Sequence, residues 1–430
     1  MMNLAITVFL ATTQVVTLDQ AVQTAAKNQP QLLQAHANTD AAFARAGEAR
    51  APLLPQVGGT AQYTRSTSNQ TPGAAAVAGF GGGAGATQPT QSWNTLSQWK
   101  FGVTASQTLW DNGGQFARWR QNVVTAESVE ATERATKLSV TLTVRSSYFT
   151  AVADKALVGV ARDTLVNQDK HLQQTDGQVK VGTQPEIALA TARTNVANAR
   201  VQLIQAENNY DVAKATLNQS MGIERDTAYD VADESIGAVA GEDQPIEPLL
   251  NEALQNRPEF LSLDKQVKAQ ELAIWAAKTA YGPALSAQTG FTEGGVALNN
   301  MAWNWSFSLA VSWQLFQGGL TWYTVKEQKA NLDGIRASLE LLRQQTRLQV
   351  EQARLAVKAS KIAVVAAEEA VINAKEQLRL AEGRYTAGVG SIIELGDAQV
   401  AYTTAAAQKV QADFNVSTAR AQLVQALGRF

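Results

Sequence analysis

Apolar residues recur along this chain in two rhythms. In the C-terminal third, Val350, Val357, Val364, Val371 and Leu378 stand seven apart, and Ala353, Ser360, Ala367, Ala374 and Ala381 follow three positions later. A sustained heptad with a large residue at one seam position and a small one at the other is coiled-coil patterning that lets helices approach closely. A second row, Leu348, Leu355 and Ile362, lies on another face and stops at Glu369. Two apolar rows call for two neighbours, which suits a curved wall of helices better than a two-stranded rod. The pattern predicts a helix from about Leu320 to Arg384, on the order of 100 Å long at 1.5 Å per residue. A break at Ala387-Gly388-Val389-Gly390 and a returning helix over 391–427 complete an antiparallel hairpin.

The other rhythm has period two. Trp303, Trp305, Phe307, Leu309, Val311, Trp313 and Leu315 alternate with Asn304, Ser306, Ser308, Ala310, Ser312 and Gln314, predicting a strand over 303–315. Phe101, Val103, Ala105 and Leu109 alternate with Gly102, Thr104, Ser106 and Thr108 in a strand over 99–109, with Gln107 interrupting the apolar face. Weaker strands precede them over 57–65 and 284–292, with Tyr63, Leu285 and Phe291 on the apolar face.

These elements occur twice. Pro30 and Pro55 answer Pro258 and Pro283 at an offset of 228, whereas Leu109-Trp110-Asp111-Asn112-Gly113, Gly182 and Met221-Gly222 answer Leu315-Phe316-Gln317-Gly318-Gly319, Gly388 and Leu427-Gly428 at an offset of 206. The offset falls by 22 (228 minus 206) because the first copy carries an insertion. That insertion is the Gly/Ala/Thr-rich stretch 68–98, read as a loop between strands. Subtracting 206 from the heptad gives Val144, Ala151, Val158, Leu165 and Leu172, so copy one repeats the seam. Its hairpin is expected over 115–219, turning at Val181-Gly182-Thr183-Gln184. The first repeat spans 16–222, an acidic connector 223–247, and the second repeat 248–428, with a hairpin over 320–427.

Composition narrows the function classes. Helix formers dominate and proline is scarce, with 10 in 430 residues. The net charge of −2 offers no basic surface for nucleic acid. The chain has no cysteine, which excludes disulfides, a zinc ribbon, a thiol nucleophile and a lipid-bearing cysteine. Its two histidines, His36 and His171, read as exposed helix residues without acidic neighbours at metal-ligand spacing. No metal, cofactor or catalytic constellation is expected, so the chain is not read as an enzyme. The short apolar run Leu4–Ala11 resembles a clipped or atypical secretory signal, and residues 1–15 are set aside from the fold.

The strands separate a membrane protein from a soluble rod. About ten residues span the hydrocarbon, and aromatic residues towards both ends of the apolar face match interfacial girdles: Trp99 and Trp110 in copy one, Trp303, Trp305 and Trp313 in copy two. Membrane β-structure has to close, and four strands fall short of the roughly eight that a barrel needs. The chain must therefore associate with copies of itself. The rival reading is a non-channel periplasmic coiled-coil structural protein.

Several segments in order carry a family likeness: Leu18-Asp19-Gln20-Ala21, Asn28-Gln29-Pro30, Leu53-Leu54-Pro55, Leu315-Phe316-Gln317-Gly318-Gly319, and Gly388-Val389-Gly390-Ser391-Ile392-Ile393-Glu394-Leu395-Gly396-Asp397-Ala398-Gln399. Over nearly its full length the chain resembles the TolC-type outer-membrane efflux proteins (outer membrane factors). The resemblance implies a mainly α protein with a membrane β-barrel portion. It implies a homotrimer with a 12-stranded β-barrel in the outer membrane of a Gram-negative bacterium and a 12-helix α-barrel in the periplasm. Loop 68–98 would be extracellular. The implied role is a passive export conduit for small molecules or proteins in a tripartite efflux or type I secretion system. The implied partners are outer-membrane lipid, a periplasmic adaptor (membrane fusion) protein and an inner-membrane pump of RND, ABC or MFS type.

The resemblance also assigns residues. Glu394 and Asp397 match the acidic positions that line the family's periplasmic aperture, and Tyr385 matches the tyrosine of its polar lock. The tips, Gly182, Thr183, Gly388, Val389 and Gly390, match the adaptor-docking surface. The lock's acidic and arginine positions hold Ala188 and Gly390 here, so the resemblance implies a closed state held differently, by packing and Tyr385.

Overall fold

The computed structural model describes residues 15–67, 93, 95–224 and 228–429. The apolar run Leu4–Ala11 and most of the inserted loop, residues 68–92 and 94, lie outside the described residues. In chain order the elements are β1 (Val15–Val16), α1 (Leu18–Asn28), α2 (Pro30–Arg50), β2 (Gln56–Thr67), β3 (Thr95–Trp110), α3 (Gly114–Lys180), α4 (Glu186–Met221), β4 (Asp230–Val231), α5 (Ile246–Asn256), α6 (Pro258–Thr279), β5 (Ala284–Ala297), β6 (Asn300–Ser312), α7 (Leu320–Thr386) and α8 (Ile392–Ala426). They fall into two compact units. A helical unit takes the chain up to Ala41, Glu127–Lys265 and everything from Ile335 onward; a strand-bearing unit takes Ala42–Ala126 and Gln266–Gly334.

In the helical unit the duplication is visible atom by atom. Helices α3 and α7 are each 67 residues long and start 206 apart. Val144 and Ala151 of α3 are buried with Leu217, Met221, Ala21 and Ala25. Their counterparts Val350 and Val357 of α7 are buried with Leu423, Leu427, Leu249 and Ala253. The heptad therefore supplies two equivalent cores, in which all four seam residues are 0% exposed. Among the described residues the second row of α7 has no cover: Leu348, Leu355 and Ile362 are 58%, 49% and 64% exposed.

The connector is more ordered than its irregular sequence predicts. Val15–Val16 pairs in parallel with Asp230–Val231, so residue 15 belongs to the fold rather than to an excluded leader. Asp230 accepts hydrogen bonds from Lys155 Nζ (2.6 Å) and Tyr210 OH (2.7 Å). Glu242, whose side chain is 4% exposed, takes Arg420 and Lys361 at 3.0 and 3.1 Å and the Val239 amide at 2.9 Å. Lys155 and Lys361 stand 206 apart, so each copy uses an equivalent lysine to hold the acidic connector.

The strand-bearing unit is built on an antiparallel sheet in the order β2-β3-β5-β6, with β2 and β6 at its edges. Several strand boundaries differ from expectation: β2 runs over Gln56–Thr67, β5 continues to Ala297 and β6 starts at Asn300. β3 begins at Thr95, four residues earlier, because Thr95–Gln98 pair with Thr64–Thr67 of β2. A register shift between Thr108 and Trp110 sets Trp110, not Leu109, opposite Leu285; Leu109 is the extra residue of a bulge. β6 ends at Ser312 rather than Leu315, because its partner β5 begins at Ala284, just after Pro283, which has no N–H for a ladder.

Candidate functional site

Register collects the apolar positions of all four strands on one face: Val57 and Tyr63, Phe101 and Val103, Leu285 and Phe291, Trp303 through Val311 at alternate positions. Among the described residues of the unit no layer covers these side chains: Val57, Val103, Trp303, Phe307, Leu309 and Val311 are all more than half exposed. An apolar face of this extent left open to solvent marks a surface that meets lipid or protein. Trp99 lies against Tyr63 with tilted rings whose centroids are 4.5 Å apart, and Trp303 stacks on Phe291 at 6.0 Å. Trp99, Trp303 and Trp305 lie towards the end of the sheet at the β2–β3 and β5–β6 connections. Trp110 and Trp313 lie at the opposite end, where the Trp313 indole N–H donates to the Tyr281 carbonyl at 3.0 Å. The other face is small and polar, with Gly58, Gly102, Thr104, Gly290, Thr292, Ser306 and Ser308. A Cβ at Gly102 would stand 3.1 Å from Thr292 Cγ2 and 3.2 Å from Thr60 Oγ1, so this face is already closely packed.

In the helical unit the two hairpin turns have the same construction. Gly182 (φ +79°) and Gly388 (φ +75°) take the left-handed conformation that ends a helix. Thr183 N–H reaches back to Gln178 O at 2.9 Å, and Val389 N–H to Arg384 O at 3.0 Å. The exposed Val181, Ile187, Val389 and Ile393 cluster around these turns, each more than 70% exposed. Ser391 caps α8, its Oγ accepting from the Ile393 and Glu394 amides at 3.1 and 3.2 Å.

The residues singled out at the second tip are not alike. Glu394 pairs with Arg384 Nε at 3.1 Å, while Asp397, three residues on, is exposed. Tyr385 is buried and its hydroxyl meets Thr175 Oγ1 at 3.2 Å. A Cβ at Gly390 would lie 2.9 Å from the Tyr385 amide nitrogen and 3.0 Å from Arg384, so no arginine fits there without a shift of backbone. Arg384, in the last turn of α7, already places a guanidinium at this tip. Ala188 is buried.

Sequence reasoning missed a polar stripe on α3. Thr164, Gln168, His171 and Thr175 recur at spacings of four, three and four, which puts them on one helical face. They meet Thr403 Oγ1 (3.2 Å), Gln399 Oε1 (2.7 Å), Glu382 Oε1 (3.7 Å) and Tyr385 OH (3.2 Å) in turn. His171 is thus not the exposed, acid-free residue expected. Its side chain is 13% exposed with Glu382 beside it, because the stripe turns inward where the heptad seam runs alongside it. His36 is exposed as expected, but Asp40 and Glu133 lie 3.8 and 3.2 Å from its ring. Among the described residues no group of three or more His, Cys, Asp or Glu could hold a metal ion, and no helix is long and apolar enough to cross a membrane.

Comparison with known proteins agrees with this anatomy. The chain is 28% identical over 274 residues to the probable efflux pump outer membrane protein TtgC of Pseudomonas putida, covering 63% of this chain and 52% of that one. It is 27% identical over 361 residues to the outer membrane protein TolC of Escherichia coli, covering 78% of this chain and 66% of that one. The chain thus spans about half the length of TtgC. The fold is that of the Campylobacter jejuni CmeC outer membrane channel (TM-score 0.80, 20% identity, 96% of this chain and 85% of that one). It is also that of a Pseudomonas aeruginosa membrane protein (TM-score 0.82, 19% identity, 97% and 91%). A model of the family described as outer membrane efflux protein matches residues 21–223 and 249–429, most of the chain and both repeats. The chain belongs to the outer membrane efflux protein family and is an outer-membrane protein.

Proposed function

We propose that the chain is one subunit of a homotrimeric export channel, a passive conduit in a tripartite efflux or secretion system. The observation that carries this reading is the four-stranded sheet with one open apolar face and two unpaired edges, β2 and β6. In lipid an unpaired edge leaves backbone N–H and C=O groups without partners, each costing several kcal/mol. Pairing β6 of one copy with β2 of the next removes both edges, and three copies give the twelve strands expected from the family resemblance. The apolar face then meets lipid and the small polar face lines the pore. The uncovered row Leu348, Leu355 and Ile362 supports the same association along the helices, since a heptad row needs a partner.

Energy for export comes from an inner-membrane pump, with a periplasmic adaptor docked at the tips around Gly182, Thr183, Gly388, Val389 and Gly390. Glu394 and Asp397 line the aperture and Tyr385 helps hold it. The conduit reading assigns the chain no chemistry of its own.

The test exploits the absence of native cysteine. Cysteines placed at Gly58 on β2 and at Ser306 on β6, both on the small polar face and joined by a flexible thiol cross-linker in membranes, are expected to give covalent species up to three chains and none larger. The purified protein is expected to give stepwise conductance in planar bilayers. Species that remain monomeric, or bilayers that never conduct, overturn the proposal.

A further inference from the structure

His171 stands where the polar stripe of α3 meets the hairpin of the second repeat. It lines a small cavity of about 20 Å³ together with Thr175, Tyr385, Gln399 and, from α4, Asn195. The stripe differs in kind from the seams at Val350 and Val357. Those are dry aliphatic contacts, whereas the four side chains of the stripe meet their partners through hydrogen bonds or a long ion pair, which water can replace when helices part.

Within that stripe His171 alone changes charge in the neutral range. Its Nε2 faces Glu382 Oε1 at 3.7 Å, a half-exposed carboxylate. Its Nδ1 is buried with no hydrogen-bond partner, as is Nε2 of Gln399. The groups around it are Glu382 and Tyr385 from α7, Gln399 from α8, Asn195 from α4, and Lys170 and Gln174 from α3 itself. Protonation would turn the buried, unpartnered Nδ1 into a second donor and would set a cation in a largely buried site beside Lys170. Burial disfavours the charged ring most; Glu382 and Gln174 oppose that and Lys170 adds to it, and the balance lowers the histidine's pKa.

We infer that His171 makes the contact between the first-repeat helix α3 and the second-repeat hairpin α7–α8 acid-labile, loosening the stripe when the ring is protonated. The direction follows from the depressed pKa. The packed arrangement is fully favoured above the ordinary histidine range, near 6.5, and loses stability as pH falls below it, because hydrated, parted helices bind the proton more tightly. The consequence for flow, a wider aperture in acid, rests on the export-channel reading above.

The experiment is hydrogen–deuterium exchange of the full chain in detergent micelles at about pH 7.5 and about pH 5.5, corrected for intrinsic exchange, with bilayer conductance measured in parallel. Peptides covering 165–180 and 380–400 are expected to exchange severalfold faster in acid, with the core around Val350 unchanged. His171→Gln, which keeps polarity without a titrating ring, is expected to abolish the acid response, and His171→Lys to give fast exchange at both values. Equal acid responses in the wild type and His171→Gln overturn the inference. An exchange response that His171→Gln removes, in a protein that never conducts, sustains the labile contact and sinks the channel reading. Conductance with no such response does the reverse.

Discussion

At the scale of single residues, position in the sheet decides what a charge costs. Phe307 sits near the middle of β6, Val311 one residue from its end, and Ser308 on the opposite face. If the apolar face meets lipid, Phe307→Arg should destabilise folding into lipid vesicles by about 2–4 kcal/mol, Val311→Arg by about 0–1 kcal/mol, and Ser308→Arg hardly at all. Urea titration of folding into vesicles reads all three, and equal losses would argue against a lipid-facing side. Glu242 shows a different kind of dependence. Burial opposes its charge, yet the Arg420 guanidinium, the Val239 amide and the Lys361 ammonium overcome that and hold its pKa at about 2. A depressed carboxylate stabilises fully above its unfolded value near 4.3, and that contribution fades as pH falls towards about 2. Glu242→Gln should therefore lower the thermal midpoint at about pH 7, leaving Arg420 short of a counter-charge at a cost of about 3 kcal/mol. The gap to wild type should narrow by about pH 3; an equal gap at both values would remove Glu242 as the cause. The partners of Glu242 were not visible in the sequence, where residues 223–247 show only acidity without a period. Charge pairing across more than a hundred residues leaves no local pattern to read.

At the scale of elements, what repeats was legible and what interrupts was not. Heptads at Val144 and Val350 place both cores because period and residue size together specify a seam. The alternation at 303–311 likewise specifies a face. The bulge at Leu109 was hidden because both Leu109 and Trp110 are apolar, so either satisfies an alternating pattern, and only the partner strand selects Trp110. The end of β6 was hidden for a related reason, since Trp313 and Leu315 continue the alternation after the partner has run out. His171 was misread because a polar stripe on a long helix resembles a solvated face until its partners from the other repeat are in place. The two rows of α7 make a paired prediction. Val357→Ala opens a cavity in a fully buried seam and should cost about 1–3 kcal/mol in every state of the chain. Leu355→Gln, on the uncovered row, should leave the helical content of the separated chain unchanged while lowering the fraction that migrates as a trimer in mild detergent. Circular dichroism and size-exclusion chromatography separate these outcomes. Loss of helicity from Leu355→Gln would show that the row is covered within the chain rather than by a neighbour.

At the scale of the whole molecule, the tip is where the chain's own features change what the family resemblance implies. Two carboxylates per chain would put six around a threefold aperture, a strongly cation-attracting ring. In this chain Arg384 holds Glu394 at 3.1 Å, so the local sum is one net negative charge per subunit instead of two. Gly390 admits no larger residue without a backbone shift, and the guanidinium at this tip is that of Arg384 in the last turn of α7. The pair is exposed on both sides and contributes little to stability, so its effect should be on ions rather than on folding. Arg384→Ala should therefore strengthen block of the channel by multivalent cations added from the tip side, because Glu394 is released to act with Asp397. Asp397→Ala should weaken the block, and Glu394→Ala should weaken it comparably, because it leaves Arg384 to neutralise Asp397. Single-channel recording with a trivalent cation gives the order directly. A block that Arg384→Ala leaves unchanged while Asp397→Ala abolishes it would mean that Asp397 alone faces the pore and that Glu394 serves only the start of its helix.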